Sequence, residues 1–555
     1  MLMNFIYNDY AISWVVLLPM ATAFLLMAVQ AVATSIFNLR GLPGTAWRAV
    51  ALLATTLSFV LAYTGLWLGF DPLVTHYQLV ERVAWIPALG INYFVGIDGI
   101  SLILVMLTTF LFPVALIGSW NDVVRPLKSY STFLLLLETG IVGALVSVNV
   151  IQLYFFWALT LLASFFLIGR WGSEAGLRAA VKYLLYGLSS FFLLLVATLV
   201  VFHLNLVQGG EPNFDLVQMG DATGLAFLAT KVPVAGAAGA AWWQTQSALF
   251  VAFASAFAIT IPLLPFQGWF NDAQAEAPTS GSIIVTALVV KLGAYAFLRV
   301  ALPLLPIAAH EAVPWLSGLA LVGIALSGFL ALAEQKVKRL VGYLSLAHMS
   351  FIALGIMSLT HHAVVGAVVH MLSHGLGIAA LFILFGFLAE RRSTQDLSEY
   401  GGLAKPMPIC AALFALVIFG QVGMPGTSGF VGTFLIVLGS FPSSGVVAGC
   451  ALAAMVLVAG AMLRAGGGVL LGPLEKAENR GLIDLNLRER LVVLSLVVPV
   501  LWIGLYPNPV LRRVEPPVGL LLNTMQRGID TQPLPAKQAE SELLSVDATQ
   551  AEAKP

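Results

Sequence analysis

The stretch PTSGSIIVTALVVKLGAYAFLRV, residues 278–300, decides how the whole chain is read. It is apolar over a length that crosses a bilayer, yet a lysine, Lys291, stands in its middle with about ten apolar residues on either side. A lysine at the centre of a membrane helix costs about 2.5–3.5 kcal/mol on insertion scales unless it meets water or a partner. Lys291 is therefore a candidate functional residue whose protonation a neighbouring charge could switch. The competing reading is a lysine that snorkels to the interface.

Outward from that stretch, similar runs recur from end to end. The 555 residues are 59% hydrophobic and 10% charged, with a mean hydropathy of +0.94, far from the balance of a soluble domain. The composition predicts an all-α polytopic membrane protein. About fourteen transmembrane helices are expected, near 11–31, 48–69, 100–120, 129–149, 151–170, 182–205, 244–267, 278–300, 312–333, 340–359, 362–389, 407–438, 444–463 and 489–507. The first run, from Ile12 to roughly Val32, lacks a basic leader and is read as a mature helix, not a cleaved signal. Lysines and arginines test the order of the spans, because they gather in cytoplasmic loops. Alternate loops starting with the first carry eighteen of them, against Arg82, Lys231 and Arg299 in the others. This bias places both termini on the non-cytoplasmic side. The net charge of zero offers no surface for nucleic acid. Two cysteines, Cys410 and Cys450, are too few to ligate an iron–sulfur cluster.

Two spans carry helix breakers near their middles. The seventh has Pro262 and Pro265, and the twelfth has GMPGTSG around Pro425. Lipid cannot satisfy backbone groups freed by a break, so each break must face protein or a water-filled cavity. Five spans separate them, the pattern of two repeats that each contain a discontinuous helix. A kink that only improves packing is the plainer alternative.

Other ionisable residues lie within apolar runs. His348 falls in the tenth span, and His370 and His374 stand one turn apart on one face of the eleventh. Histidines exchange protons near neutral pH, so a relay is expected beside two other readings, structural hydrogen bonding and a metal site. Glu138, about ten residues into the fourth span, needs a partner or a proton. Lys338 opens the tenth span, where simple interfacial anchoring is the alternative to a place on the path. Asp98 is expected to cap the third span. Asp272 and Glu276 are expected to stabilise the loop and the start of the eighth helix.

Across nearly its whole length the chain resembles the M-type antiporter-like subunit of respiratory complex I, NADH-quinone oxidoreductase, the counterpart of mitochondrial chain 4. The resemblance is carried in order by VGIDGISLILVMLTTFLFPVALIGSW (95–120), LLLLETGIVG, YFFWALTLLASFFLIGRWG and LPFQGWFNDAQAEAPTSGSIIVTALVVKLGAYAFLRV (264–300). VKRLVGYLSLAHMSF, MLSHGLGIAALFILFGFL, YGGLAKPMP and GMPGTSGFVGTFLIVLG follow, then GLIDLNLRERLVV and WIGLYPNPVL. Mrp-type antiporter subunits share the central segments, whereas the DLNLRE and GLYPNPVL ending is similar to subunit M in particular.

The resemblance implies two inverted five-helix repeats with broken helices 7 and 12. The corresponding domains are 1–128 (helices 1–3), 129–300 (helices 4–8), 301–465 (helices 9–13), 466–526 (helix 14 and flanks) and 527–555 (a disordered polar tail). It implies proton translocation coupled to quinone reduction in a bacterial inner membrane, beside other antiporter-like membrane-arm subunits. NADH, FMN, iron–sulfur clusters and quinone would belong to partner subunits, with no cofactor and no redox site in this chain. Lys291 would be the central relay lysine and Lys338 a residue near the path. The candidate proton path is thus Lys291, His348, His374, Lys338 and Glu138.

Three family positions depart from the pattern. Ala158, Thr260 and Thr433 stand where the family carries a glutamate, a lysine, and an acid or lysine. None of the three can hold a charge. Moving one charge outward against about 150 mV costs roughly 3.5 kcal/mol, and driving that step needs switchable charge at both ends of the path. The expectation is a copy whose own channel is weakened or silent. Losing the glutamate and lysine together is the tolerable route, because losing one alone strands a buried charge. A cation/proton antiporter or ion-coupled uptake subunit is the alternative, and co-purifying chains discriminate the two.

Overall fold

A computed structural model of the protein describes residues 10–35, 42–123, 126–207, 212, 214–216 and 245–530. The apolar runs are helices: α1 Ala11–Ser35, α2 Gly44–Leu61, α3 Gly99–Gly118, α4 Leu127–Val146, α5 Val150–Trp171 and α6 Gly176–Val207. The seventh expected span is divided between α7, Gln246–Thr260, and a short α8, Phe270–Glu276. Then come α9 Thr279–Leu304, α10 Pro306–Ala333, α11 Val337–Met357 and α12 His361–Arg392. The twelfth expected span is likewise two pieces, α13 Pro408–Val422 and α14 Ser428–Ser443, followed by α15 Gly445–Leu471, α16 Leu487–Leu505 and α17 Asn508–Asp530.

Among the described residues, eleven helices are long and apolar enough to cross a membrane. The number becomes twelve if α16 and α17, bent by 71° at their junction, form one span. Fourteen is therefore not the number of uninterrupted helices, since α7, α13 and α14 are too short to qualify by themselves. Breakers at the expected places account for this. The carbonyl of Ile259 at the end of α7 accepts a hydrogen bond from the Trp269 indole (2.8 Å). α13 ends at Gly423 in the left-handed conformation (φ 80°), which a side chain would resist.

Start signals in the sequence form real caps. Asp98 and Ser101 make a capping box at α3, Asn149 accepts from the amides of Ile151 and Gln152 at α5, and Thr360 caps α12. The DLNLRE segment is a junction of the same kind. Asp484 accepts from the amides of Ile409 (2.8 Å) and Cys410 (3.0 Å) at the start of α13, and Asn486 and Glu489 box the start of α16. Glu489 also pairs with Arg391 at the end of α12 (2.6 Å).

α9, α11 and α12 form the spine, each with 94% of its apolar window buried, whereas for α1, α2, α6 and α15 only a third or less is buried. A hydrophobic residue pays no penalty for facing lipid, so an apolar surface on the outer helices is expected of a spanning bundle.

Several expectations need correction. Beside the helices, an antiparallel hairpin of β1, Gln78–Ile86, and β2, Ile91–Ile97, lies in the segment read as a loop, with Arg82 opposite Phe94 and Ala84 opposite Asn92. Residues 527–530, expected to open the polar tail, are the end of α17; residues 531–555, the rest of that expected tail, lie outside the described residues. α17 buries Val510, Val514, Val518, Leu521 and Met525 in an i, i+4 stripe too sparse to register as a span. The boundary expected at 300/301 falls within α9 and that at 465/466 within α15. The amide of Thr279 at the start of α9 is capped by Asp122 (2.6 Å) from the loop between α3 and α4, not by Asp272 or Glu276. Asp272 pairs instead with Lys182 (2.7 Å), and Glu276 accepts from the Ser173 hydroxyl.

Candidate functional site

Lys291 lies at the centre of the spine, on α9, with 2% of its surface exposed. α9 is not a regular α-helix around it. Two π turns, Val285–Val289 and Phe297–Ala301, frame the seven residues from Val290 to Ala296. A π turn releases a carbonyl from the normal ladder, and the Lys291 ammonium donates to Thr286 O (3.0 Å) inside the first one. The same Nζ lies 2.7 Å from Nδ1 of His374 on α12. With a protonated lysine, Nδ1 must be the acceptor; with a neutral lysine the histidine can be the donor. The two side chains thus share one proton position.

The string continues through His348 on α11. Its ring centroid lies 5.2 Å from those of both His374 and His370, and its Nδ1 is 3.0 Å from Nε2 of His370. His370 and His374 project from one face of α12, as their i, i+4 spacing requires. Among the described residues His374 Nε2 and His370 Nδ1 have no hydrogen-bond partner. Among the described residues, no group of three metal-ligating side chains converges on one point. Beyond His370 the packing is close: Gly432 of α14 sits so near that a Cβ added there would be 2.7 Å from the His370 Cβ. His348 also borders a void of about 10 Å³ with Gln421, the penultimate residue of α13.

The remaining expected residues are placed elsewhere. Lys338 begins α11, where its ammonium donates to Ala277 O (2.6 Å) near Asp122 and Glu276. Glu138 is fully buried on α4, and neither carboxylate oxygen has a partner among the described residues. Ser58 of α2 lies beside it.

The three uncharged positions fall into two places. Ala158 is half-buried on α5; its neighbours Trp157 and Thr160 border, with Thr260, a chamber of about 20 Å³. Thr433 is half-buried on α14 with its hydroxyl next to Gly423 of the helix break. Sequence reading missed Thr160, Ser190 and Tyr183 around the first place. Ser190 Oγ donates to Ala256 O (2.6 Å) and lies 3.2 Å from Thr260 Oγ1. The signal available was a set of hydroxyls inside otherwise apolar runs, which in a single sequence looks like ordinary helix packing.

These features define a class: polytopic helical membrane proteins with two interrupted helices and a buried lysine–histidine string between them. Residues 147–459 match the family model described as NADH:quinone oxidoreductase/Mrp antiporter, TM, and residues 74–147 match NADH-ubiquinone oxidoreductase chain 4, amino terminus. NADH-quinone oxidoreductase subunit M of Rickettsia bellii is 37% identical over 464 residues, covering 83% of this chain and 89% of that protein. NADH-ubiquinone oxidoreductase chain 4 of Marchantia polymorpha is 31% identical over 93% of this chain and 97% of its own length. Among solved structures, a chain of respiratory complex I from Thermus thermophilus with bound NADH superposes with a TM-score of 0.78 at 26% identity, covering 93% of this chain and 99% of that one. A chain of the Mrp complex from Dietzia sp. DQ12-45-1b has the same fold at 20% identity, with a TM-score of 0.72 over 94% of this chain and 99% of its own. The chain belongs to the M-type, chain 4 family of antiporter-like complex I membrane subunits.

Proposed function

We propose that this chain occupies the M position in the membrane arm of a proton-translocating NADH-quinone oxidoreductase, beside other antiporter-like subunits, with its own proton transfer weakened or silent. The observation that carries the proposal is the contrast between an intact centre and neutral flanks. Lys291 meets His374 at 2.7 Å, while Thr260 and Thr433 present only hydroxyls and Ala158 presents a methyl group. A hydroxyl orients water and passes a proton along, but it stores no charge at neutral pH. Without charges that respond on either side, Lys291 has no driver within this chain for a step worth about 3.5 kcal/mol at 150 mV.

In this reading Lys291, His374 and His348 hold the central proton, Lys338 lies towards the cytoplasmic end and Glu138 is a separate buried acid. Electron transfer, with NADH, FMN, iron–sulfur clusters and quinone, belongs to partner subunits, and this chain holds no cofactor and no redox site. The excess of basic residues in alternate loops supports non-cytoplasmic termini. The test restores the charges together, as Ala158→Glu, Thr260→Lys and Thr433→Glu, and measures protons moved per NADH in sealed vesicles. The expected result is a higher ratio in the assembled complex. An unchanged ratio overturns the silent-channel reading.

A further inference from the structure

A void of about 230 Å³ opens where the end of α10, the start of α11, the loop through Tyr400 and the last third of α15 meet. That is far more room than the 10–15 Å³ or so that one water needs. Ala461, Ala465 and Gly468 follow one another at i, i+4 and i+7 along the α15 wall, and a Cβ added at Gly468 would meet nothing within 4 Å. Two charged side chains border the same space. Arg464 stands inside the apolar α15, seven residues before its end at Leu471, or about 10 Å along the axis. An arginine at that depth needs a partner or water. Its Nη1 donates to Leu332 O in the last turn of α10, and among the described residues no carboxylate pairs with it. Leu332 lies between the wall residues Ala331 and Glu334, so this bond holds the guanidinium at the edge of the void. Glu334 follows α10, where its Oε1 accepts from the amides of Gln335 (2.9 Å) and Lys336 (2.8 Å). Its Oε2 has no partner among the described residues.

We propose that this cleft binds one phospholipid whose headgroup carries both a phosphate and a primary ammonium, as in phosphatidylethanolamine. The free edge of the Arg464 guanidinium donates to the phosphate, the anion its fork fits best. The ammonium donates to Glu334 Oε2, where the C-terminus of α10 adds its own preference for a cation. The wall pair has no net charge, which matches a zwitterion; an anionic headgroup would face the Glu334 carboxylate, and a choline has no N–H to give it. The acyl chains have a surface to follow. α10 and α15 have only 39% and 33% of their apolar windows buried, and Leu330 and Leu463, next in sequence to wall residues, are exposed. The inference is independent of the charges lost at 158, 260 and 433.

The assembled complex in nanodiscs of phosphatidylethanolamine, phosphatidylglycerol and phosphatidylcholine in equal parts, with chain bromines on one lipid at a time, tests it. Maps should show a headgroup between Arg464 and Glu334, with bromine peaks leading away from it only when the ethanolamine lipid is labelled. Glu334→Gln should admit the glycerol lipid as well, and Gly468→Leu, which fills the open side of the cleft, should remove the peaks. Equal bromine signal from all three lipids in wild type overturns the proposal. So does a phosphate-sized peak without chains, an empty cleft, or a carboxylate on Arg464 from Glu334 or a neighbouring subunit. The wild-type maps decide even where a variant does not assemble.

Discussion

Lys291 Nζ and His374 Nδ1 are 2.7 Å apart across the seam between α9 and α12, and the lysine's other contact is a carbonyl of its own helix, Thr286 O. His374→Phe should therefore leave a buried ammonium short of a partner, whereas Lys291→Met removes the charge along with the contact. Thermal unfolding of the solubilised complex should show His374→Phe as the more damaging single change and the double variant milder than the sum. A coupling of about 1–3 kcal/mol is expected for groups in direct contact. Additive effects would contradict the shared proton position.

Gly432 should tolerate no side chain, because a Cβ there would meet the backbone and Cβ of His370 at 2.7–2.9 Å. Gly432→Ala is expected to cost about 1–3 kcal/mol by overpacking. Gly460→Ala, inside α15 at a position with nothing within 4 Å, is the control and should leave the melting temperature unchanged or slightly raised. Equal behaviour of the two variants would refute the contact.

Asp484 and Glu489 predict a graded series at the α12–α13–α16 junction. Asp484→Ala orphans the amides of Ile409 and Cys410 and should cost about 0.5–2 kcal/mol. Glu489→Ala leaves Arg391, whose side chain is 17% exposed, without its carboxylate, with an expected loss of about 3 kcal/mol. Glu489→Gln keeps an acceptor for the Asn486 amide and should lie between wild type and Glu489→Ala. Denaturation midpoints measure the order.

Glu81 gives a pH dependence. Its carboxylate, on β1, accepts from the amides of Ile12 (2.9 Å) and Ser13 (3.1 Å) at the start of α1. Burial pushes the carboxyl above its ordinary range, against the opposing pull of the Ser13 and Ile12 bonds. The folded state therefore favours the protonated acid. Its contribution is complete below the ordinary carboxylate value and is lost as pH rises through the raised one. The midpoint of thermal unfolding should fall across that window in wild type and stay flat in Glu81→Gln. Parallel profiles would sink the assignment.

The residues differ in how plainly the sequence announces them. Lys291 is conspicuous because one charge interrupts an apolar run, and the breaks at Pro262 and Pro425 because proline and glycine disrupt any helix. His370 and His374 reveal their common face through spacing alone. The hairpin at 78–97 stays hidden because its pairing is set by contact between strands, with a register shift between Gln78 and Glu81. α17 stays hidden because its apolar stripe covers only one face. Glu138 shows in the sequence as an acid inside an apolar run, and only packing sets it beside Ser58 of α2.

By itself the chain of residues determined the membrane-spanning class, the positions of the helices and their interruptions, and the missing charges at 158, 260 and 433. Those properties follow from apolar length, backbone chemistry and side-chain identity, all of which are local. Only the tertiary structure decided that Lys291 meets His374, that His348 stands between two histidines of another helix, and that Thr160, Thr260 and Tyr183 line one chamber. Contacts between helices depend on rotation and depth within the bundle, which packing settles and the order of residues along one helix does not record.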